Sequence, residues 1–234
     1  MPLFTPFAFV KQEAAGPAYV TTDLLMNLMA YDPDSYPGTG TVITDLSGNG
    51  LDGNISGSVS FDASGYLNFD GSTNYVYVND DSLLDLGTAY SFDNYIYVDN
   101  YTERWRIMHK WVSTAGGQGY TFSTQTTSGK FFSYLDSNLA GNALSPTAIG
   151  LGAWKQVVLV RDAGSTKIYV NGAEVWSTTT GTTAAPTANS NNLFMGFGNQ
   201  ETEFGEGRWA HGRIYTKALS AAEVLQNYNA LPTL

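Results

Sequence analysis

Short apolar segments bounded by turn residues run through the middle of this chain, and they constrain its fold more than any other feature. Each segment is rich in aromatic and β-branched residues, as strands are. The segments are, in order, residues 66–70, 74–78, 90–98, 104–112, 120–125, 130–135, 156–161, 167–170, 173–176, 192–197 and 208–215. Antiparallel strands recurring every 8–12 residues or so are typical of a sandwich or jelly roll. We therefore predict an all-β fold, an antiparallel two-sheet jelly roll.

Three local features refine this pattern. Residues 156–161 (QVVLVR) are apolar on both faces, which indicates a central strand covered on both sides. The dipeptide NG at 171–172 predicts a tight hairpin between the strands on either side of it. The GST sequence at 71–73 predicts a second hairpin turn, between residues 66–70 and 74–78.

The clearest helix signal lies at the C-terminal end. Ser220 and Glu223 form a capping box, in which each side chain can bond the backbone amide of the other residue. Val224, Leu225 and Tyr228 follow at helical spacing. We predict one short C-terminal helix after the last strand.

Composition narrows the functions open to this chain. It has 234 residues and no cysteine, which excludes disulfide scaffolds, thiol catalysis and cysteine-ligated metal centres. With 11 Lys and Arg against 21 Asp and Glu, its net charge of −10 repels phosphate backbones, so we predict no nucleic-acid partner. No apolar stretch reaches the roughly 18 residues that a membrane span needs, so we predict no membrane partner.

The first 18 residues differ from the rest, and we predict an apolar N-terminal arm and linker at 1–18 ahead of a domain at 19–234. They would form either a first strand on the sheet or an assembly arm that docks on another subunit. Two prolines favour the assembly arm, because proline lacks the donor that a sheet needs. No basic residue precedes the apolar run, so we expect no secretion signal. The arm residues are Leu3, Phe4, Phe7, Phe9 and Val10.

Three groups of motifs resemble one known family. The opening motifs are YPGTG at 36–40, DLSGNG at 45–50 and LNFDG at 67–71; the central hairpin is WKQVVLVR at 154–161 and IYVNG at 168–172; the closing motifs are GRIY at 212–215 and ALSAAE at 218–223. In this order they are similar to laminin-G-like domains of the concanavalin A-like lectin/glucanase superfamily. The resemblance implies two antiparallel sheets packed as a jelly roll. It does not specify the function, since this fold serves lectins, adhesion modules, glycosidases and virion proteins.

One candidate metal site lies in the second of these motifs. Asp45, Ser47 and Asn49 supply the oxygens of the first half of a calcium loop, and Asp52 adds a carboxylate. The twelfth position of such a loop would be Ser56, not a bidentate glutamate. The same residues also form an ordinary turn, because Asp, Ser and Asn bond their own backbone. The sequence favours the turn; Asp45, Asn49 and Asp52 remain calcium candidates, and we expect no other cofactor.

A second candidate site is the run ETEFGE at residues 201–206. Jelly-roll glucanases place their acid and nucleophile in a Glu-x-Asp-x-x-Glu strand, where alternation directs the carboxylates into one cleft. Here the middle residue is Glu203, and glycines flank the run as they do in loops. We predict solvated charge in this segment, no catalytic residues and no enzymatic activity.

Aromatic side chains are the third candidate. The chain has 15 Tyr, 5 Trp and 12 Phe, enough for a surface on which sugars stack, with Trp209, His211 and Tyr95 as potential members. Aromatic residues of sandwiches lie more often in the core, where we place Trp154 and Trp176. No spacing singles out a binding face, so the ligand-binding residues stay unassigned.

Two classes of function remain open. The first is a structural protein of a tailed-bacteriophage particle, a capsid decoration, neck, tail or fibre component that is assembled in the host cytoplasm. Similarity to small laminin-G-like phage proteins, the absence of cysteine and the apolar arm favour it, with other virion proteins or copies of this chain as partners of the arm. The alternative is an extracellular or cell-surface module that binds carbohydrates, such as host glycans. The sequence favours the virion protein, and both descriptions can hold together.

Overall fold

Apolar strand segments and turns build two antiparallel sheets in the computed structural model, which describes residues 18–113, 117–136, 143–181, 183–199 and 202–234. The strands are β1 (Leu24–Met29), β2 (Val42–Ile43), β3 (Gly53–Ser56), β4 (Ser60–Asp62), β5 (Tyr66–Asp70), β6 (Tyr75–Val78), β7 (Ala89–Val98), β8 (Arg106–Val112), β9 (Gln118–Thr124), β10 (Lys130–Leu135), β11 (Ala143–Ala148), β12 (Trp154–Asp162), β13 (Ser165–Val170), β14 (Ala173–Thr178), β15 (Leu193–Met195), β16 (Phe197–Gly198), β17 (Glu203–Phe204) and β18 (Glu206–Tyr215). The helix α1 is Ala221–Asn229, and Ser82–Leu84 form a short 3₁₀ helix.

The strands form two eight-stranded sheets. Sheet A has the order β14-β13-β12-β7-β18-β5-β4, with β1 also paired to β18. Sheet B has the order β11-β10-β9-β8-β15-β6-β3-β2, and β16 pairs with β17 as a separate small sheet. One core lies between the sheets, where Phe92 and Leu159 of sheet A join Ile107 and Phe122 of sheet B. This arrangement confirms the predicted all-β, two-sheet jelly roll.

Strand β12 shows why its sequence is apolar on both faces. Val157 and Leu159 face the core between the sheets. Val158 and Val160 face the other way, into a second apolar cluster that includes Val224 of α1. The helix therefore covers the outer face of sheet A over β12, as expected for a strand buried on both sides.

The predicted hairpin at Asn171 and Gly172 is present and connects β13 to β14. Both residues have positive φ, 51° and 78°, which the tight turn requires. The Asn171 side chain accepts a hydrogen bond from the Gln156 amide at 3.0 Å. A Cβ on Gly172 would lie 2.9 Å from a methyl group of Leu225, so glycine here also lets α1 pack on the turn.

The predicted hairpin at 71–73 is wrong. Strand β5 belongs to sheet A and β6 to sheet B, so this turn carries the chain from one sheet to the other. Side chains satisfy its backbone: Asp70 accepts from the amides of Ser72 and Thr73, at 2.8 and 2.9 Å, and Asn74 accepts from the Asp70 amide at 2.8 Å. A crossover stabilised in this way uses the same Gly, Ser, Thr and Asp residues as a hairpin, so the local sequence does not distinguish them.

The C-terminal helix has the predicted capping box. The Ser220 hydroxyl accepts from the Glu223 amide at 3.3 Å, and the Glu223 carboxylate accepts from the Ser220 amide at 2.8 Å. Val224 and Asn227 are its buried residues. Across the described parts of the chain, no helix has the length and apolar character needed to cross a bilayer.

The core between the sheets contains a buried side-chain amide, that of Asn94, without hydrogen-bond partners among the described residues. The side chain of Asn94 on β7 is fully buried there, beside Gly212, Met108 and Met195. Neither its amide oxygen nor its amide nitrogen has a hydrogen-bond partner among the described residues. Burying an amide without partners costs about 1–3 kcal/mol.

We expect Asn94→Leu, which keeps the branched shape and removes the unpaired amide, to raise the free energy of unfolding by about 1 kcal/mol. The matched control is Asn227→Leu in α1. Asn227 is equally buried, but it accepts from the Val20 amide and donates to Asp93 and Tyr215. Its replacement should lower the free energy of unfolding by about 3 kcal/mol or more. Urea unfolding measures both changes. If the two substitutions lowered the free energy of unfolding equally, Asn94 would have a partner such as an internal water.

Candidate functional site

The central strands of sheet A bring aromatic side chains together on the outer face, which is turned away from the core between the sheets. Trp154 on β12 lies opposite Tyr97 on β7, and Tyr97 lies opposite Arg208 on β18. Tyr95, two residues before Tyr97, shares this face by strand alternation, and Tyr66 reaches it from β5, which pairs with β18. We call Tyr66, Tyr95, Tyr97, Trp154 and Arg208 the aromatic platform.

Trp154 is the centre of the aromatic platform. Its ring centroid lies 4.9 Å from that of Tyr95, 5.3 Å from that of Tyr66 and 5.9 Å from that of Tyr97. Tyr95 is 8% exposed, whereas the other three aromatic side chains are half-buried and reach solvent. The platform therefore combines accessible ring surface with phenol hydroxyls. Such a surface can stack on a ligand and orient it by hydrogen bonds.

Arg208 adds a charge to this aromatic surface. Its guanidinium carbon lies 4.0 Å from the ring centroid of Tyr97 and 5.8 Å from that of Tyr66, within the range of cation–π contacts. Among the described residues, the nearest carboxylate is that of Asp99, at 4.0 Å. Burial alone would lower the pKa of Arg208, but the Tyr97 hydroxyl and the Asp99 charge outweigh burial and raise it. Arg208 is therefore a permanent cation.

A buried polar network lies beside the platform, under α1. Its centre is Asp93 on β7, whose carboxylate accepts from Gln156 at 3.1 Å and from Asn227 at 2.8 Å. His211 and Arg213 of β18 lie 3.5 and 3.7 Å from the same carboxylate. Burial alone would raise the pKa of Asp93, but the contacts with His211 and Arg213 hold it below its ordinary value. The network thus keeps a charged carboxylate inside the fold.

Two other basic side chains on this face, both from β18, are committed to the network. Burial and the charge of Arg213 lower the pKa of His211 to about 4, so His211 is neutral at pH 7. Arg213 donates to Asn27 at 2.9 Å and to the Tyr31 hydroxyl at 3.0 Å, and its guanidinium packs on the Tyr19 ring. Of these three residues, only Arg208 is partly exposed.

The loop considered for calcium is built around the Asp45 carboxylate. Its Oδ1 accepts from the amides of Asn27 and Ser47, at 2.8 and 3.0 Å. Its Oδ2 accepts from the Ser47 hydroxyl at 2.7 Å and from the Leu51 amide at 3.1 Å. Both oxygens of the carboxylate therefore already serve as acceptors within the turn.

The other two calcium candidates also bond within this turn. Asp52 accepts from the Asp45 amide at 2.8 Å, and Asn49 donates its side-chain amide to the Leu25 carbonyl at 2.9 Å. In the described ranges, no group of three or more His, Cys, Asp or Glu side chains is placed to hold a metal ion. The contacts of Asp45, Asn49 and Asp52 match the turn that the sequence favours.

A groove of about 300 Å³ lies near the β2 edge of sheet B. Its lining residues are Val42, Gly50, Leu51, Asp52, Asn54, Val78, Asn79, Asp80 and Asp81. None of them is aromatic, and the buried Lys110 ammonium already binds the Asp80 carboxylate. The groove offers acidic groups without a surface for stacking, so it fits a sugar ring less well than the platform does.

The acidic run at 201–206 is divided between two strands. Glu203 on β17 forms ion pairs with Arg104 and Arg106, at 3.0 and 2.7 Å. Glu206 on β18 is exposed and accepts a hydrogen bond from the Asn100 side chain. Glu201 lies outside the described residues. Glu203 and Glu206 therefore have different partners and do not alternate along one strand, as a glucanase pair would.

Comparison with family models shows where this fold belongs. A model named Laminin_G_3, described as the concanavalin A-like lectin/glucanases superfamily, matches residues 70–225. The chain belongs to this superfamily. The match confirms the family that the sequence motifs indicate and includes four of the five platform residues, Tyr66 being outside it. A comparison with curated proteins gave no match.

Solved structures share the fold of this concanavalin A-like domain at low sequence identity. Trypanosoma rangeli sialidase in complex with sialic acid has a TM-score of 0.66 and 12% identity, covering 91% of this chain and 34% of the sialidase chain. A botulinum neurotoxin type C structure, whose title concerns cell entry through two ganglioside molecules, has a TM-score of 0.68 and 14% identity, covering 92% of this chain and 52% of the toxin chain. The binding domain of Paraclostridial Mosquitocidal Protein 1 has the same TM-score of 0.68 and 14% identity, covering 90% and 52%. This chain spans between a third and a half of their lengths, and the likeness shows the fold alone.

Two tryptophans of the domain lie on faces that the sequence did not indicate. Trp209 is fully buried in the core between the sheets, whereas His211 faces outward. A β-bulge between Trp209 and His211 causes this difference, because it breaks the alternation that would place both on one face. Trp154, which we expected in the core, stands on the outer face at the start of β12. Trp176 is half-buried and packs against the core, in line with its predicted place.

The remaining platform residues were not among the candidates singled out from the sequence. Tyr66, Tyr97 and Arg208 come from three strands that are distant along the chain, and only the strand order β12-β7-β18-β5 brings them together. The signal that the sequence does offer is alternation within β7, where Tyr95 and Tyr97 are two residues apart. That alternation predicts a shared face but does not show which strands lie beside it.

The predicted arm lies outside the described residues, so Leu3, Phe4, Phe7, Phe9 and Val10 stay a prediction. The first described residues attach the chain to sheet A next to α1. The Val20 amide donates to the Asn227 side chain at 2.8 Å, and the Val20 carbonyl accepts from the Tyr215 hydroxyl at 3.0 Å.

We expect Asp45→Ala to lower the free energy of unfolding by about 3 kcal/mol or more, because it removes an acceptor of four hydrogen bonds and leaves buried amides unpaired. Chelation should leave the melting temperature of the unaltered protein unchanged. Thermal unfolding of both proteins with EDTA and with calcium measures this, with the exposed Asp34→Ala as a control. A calcium-dependent gain of roughly 3–4 kcal/mol that Asp45→Ala abolishes would instead establish a calcium site.

Proposed function

We propose that this domain is a non-enzymatic carbohydrate-binding module and that sugars stack on the aromatic platform. The observation that carries this proposal is the half-buried Trp154 ring with three tyrosine rings within 5.9 Å of it. These rings belong to adjacent strands of one sheet, so they form a continuous surface without any movement of a loop. We propose no cofactor for this binding.

The chemistry of the platform matches that of a sugar. A pyranose ring has an apolar face of C–H groups and a rim of hydroxyls. The rings of Trp154, Tyr66 and Tyr97 can cover the apolar face, which stabilises the complex through the area removed from water. The Tyr hydroxyls, the Arg208 guanidinium and the Asp99 carboxylate are the polar groups around this surface that can bond the hydroxyl rim.

The fold neighbours give this proposal modest support. The titles of two of them name sialic acid and ganglioside molecules as ligands or interaction partners. Because identity is 12–14%, they support the ability of this fold to carry glycan sites and do not locate one here. We place the module outside cells or at a cell surface, where glycans are displayed.

The absence of catalysis is part of the proposal. Most glycosidase families use two carboxyl groups that flank the scissile bond in one cleft. Beside the platform, the Asp99 carboxylate lies 4.0 Å from Arg208. The Asp93 carboxylate is fully buried and accepts a hydrogen bond from Asn227. Glu203 is bound by Arg106 of sheet B and by Arg104, which precedes that strand.

We expect Trp154→Ala and Tyr97→Ala each to weaken glycan binding at least about tenfold, since central aromatic residues dominate such contacts. A glycan array identifies ligands, and isothermal titration with the strongest one measures affinity. Both side chains are half-buried, so circular dichroism and melting temperature must show that each variant is folded.

The matched control is Tyr134→Ala, which removes an aromatic side chain that is 37% exposed on sheet B. It should bind as the unaltered protein does. Binding that survives both platform substitutions, or that is lost in Tyr134→Ala, would contradict the assignment of the site to sheet A.

We also propose, from the sequence, that the module is carried on a tailed-bacteriophage particle and is attached through the arm at 1–18. The observation that favours this is the apolar run MPLFTPFAFV at its start. The neighbours described above are a sialidase, a botulinum neurotoxin and a mosquitocidal protein, so they supply no support for the virion assignment. A glycan-binding domain on a virion would satisfy both proposals.

Removal of residues 1–17 tests the arm. We expect the truncated protein to keep its melting temperature and to be a monomer, while the full-length protein self-associates through its phenylalanines. Light scattering coupled to size-exclusion chromatography measures the mass, and thermal unfolding measures stability. If truncation lowers stability by several kcal/mol without changing the mass, these residues pack on their own domain and the arm does not assemble particles.

A further inference from the structure

We infer that the platform selects acidic sugars and that Arg208 binds the carboxylate of a uronic acid or sialic acid unit. This inference rests on the proposed carbohydrate-binding function and adds the chemical class of its ligand.

Arg208 is held differently from three other arginines of the domain. Arg104 and Arg106 meet the Glu203 carboxylate at 3.0 and 2.7 Å, and Arg213 donates to two side chains at 2.9 and 3.0 Å. Those distances are ordinary for hydrogen bonds. Arg208 is 4.0 Å from Asp99, which is beyond hydrogen-bond distance. Its position comes instead from the rings of Tyr97 and Tyr66 and from the Tyr97 hydroxyl.

The Tyr97 hydroxyl takes part in one hydrogen bond with Arg208, which leaves other N–H groups of the five on its guanidinium for a ligand. A guanidinium that lies over a ring makes the contact with its face, whereas its N–H groups lie in its own plane. Two of these groups can meet the two oxygens of a carboxylate in parallel, the strongest arrangement that arginine forms. The Arg208 side chain is 31% exposed, so a ligand can reach it.

Trp154 and Arg208 lie at the two ends of a short row and contact the same two tyrosine rings. Trp154, Tyr97 and Arg208 form a row across three neighbouring strands. Neighbouring strands are about 4.8 Å apart, so the backbones of Trp154 and Arg208 are about 10 Å apart. A sugar ring stacked on the Trp154 end would extend its carboxylate toward Arg208. The row therefore has a stacking end and a charged end.

The net charge of the chain does not prevent this contact. A charge of −10 repels anions at long range. At physiological salt, charges more than about 8 Å apart in solvent are largely screened. The binding of an anion therefore depends on the charges close to Arg208. Asp99 and Asp62 are acidic groups that interact electrostatically with it. Their presence also opposes the binding of anions that bring no stacking surface.

The test compares each acidic sugar with its own methyl ester, which keeps the ring and the linkage and removes the charge. The probes are tetragalacturonate and sialyllactose with their methyl esters, after an array that contains neutral, carboxylated and sulfated glycans. Isothermal titration is done on the full chain and on Arg208→Gln, Arg208→Lys and Trp154→Ala. Melting temperatures confirm that each variant is folded.

We expect the protein to bind carboxylated glycans on the array. In titration, the acid should bind at least about tenfold more tightly than its methyl ester, which is the effect of a charge-assisted hydrogen bond. Arg208→Gln should bind acid and ester equally, and Arg208→Lys should retain only part of the preference because it lacks the fork. Trp154→Ala should weaken binding of both forms.

The results separate this inference from the proposed function. Equal binding of acid and ester, or an array response confined to neutral or sulfated glycans, overturns the inference while the platform remains a glycan site if Trp154→Ala loses binding. A preference for the acid that survives Arg208→Gln also overturns it. If no glycan binds, the inference and the proposed function both fail.

Discussion

The buried carboxylate of Asp93 is the group on which the arrangement of sheet A and α1 depends. It has no solvent exposure, and a carboxylate in such a place must be paired and hydrogen-bonded. Its partners come from β12, β18 and α1, as Gln156, His211 with Arg213, and Asn227. Loss of one partner of a buried charge typically costs about 3–5 kcal/mol. Three strands that are distant in sequence, together with the helix that follows the last of them, are therefore required to meet at one point.

The same pairing determines where the aromatic platform lies. Asp93 stands opposite Val158 on β12 and Arg213 on β18, which sets the register of the three strands. In the register with β12, Tyr97 lies opposite Trp154. On β18, the bulge between Trp209 and His211 shifts the register by one residue, so that Tyr97 lies opposite Arg208. The platform is thus part of the sheet and needs no loop to close over it. A surface that is ordered before the ligand arrives loses little conformational entropy on binding.

Local signals in the sequence predict local structure here, and they fail where the outcome depends on distant strands. The capping box at Ser220 and the turn at 171–172 are complete within a few residues, so they form as predicted. The turn at 71–73 has similar chemistry, yet the strands around it join different sheets, because their partners are β18 and β3. The face of Trp154 was assigned wrongly for a related reason. Its surroundings are set by β7, which precedes it by more than 50 residues.

The position of Arg208 depends on the backbone of β18 as well as on the buried Asp93 carboxylate. The preceding residue, Gly207, has a φ of 152°, and a Cβ there would lie 2.0 Å from the Tyr97 carbonyl oxygen. Only glycine lets β18 approach β7 this closely. The residue after Arg208 is Trp209, which enters the core, and the bulge that follows returns His211 to the outer face. Arg208 is therefore held between a close backbone approach and a buried indole. The cation reaches the Tyr97 ring because of where the strand runs, and its contact with Asp99 stays at 4.0 Å, beyond hydrogen-bond distance.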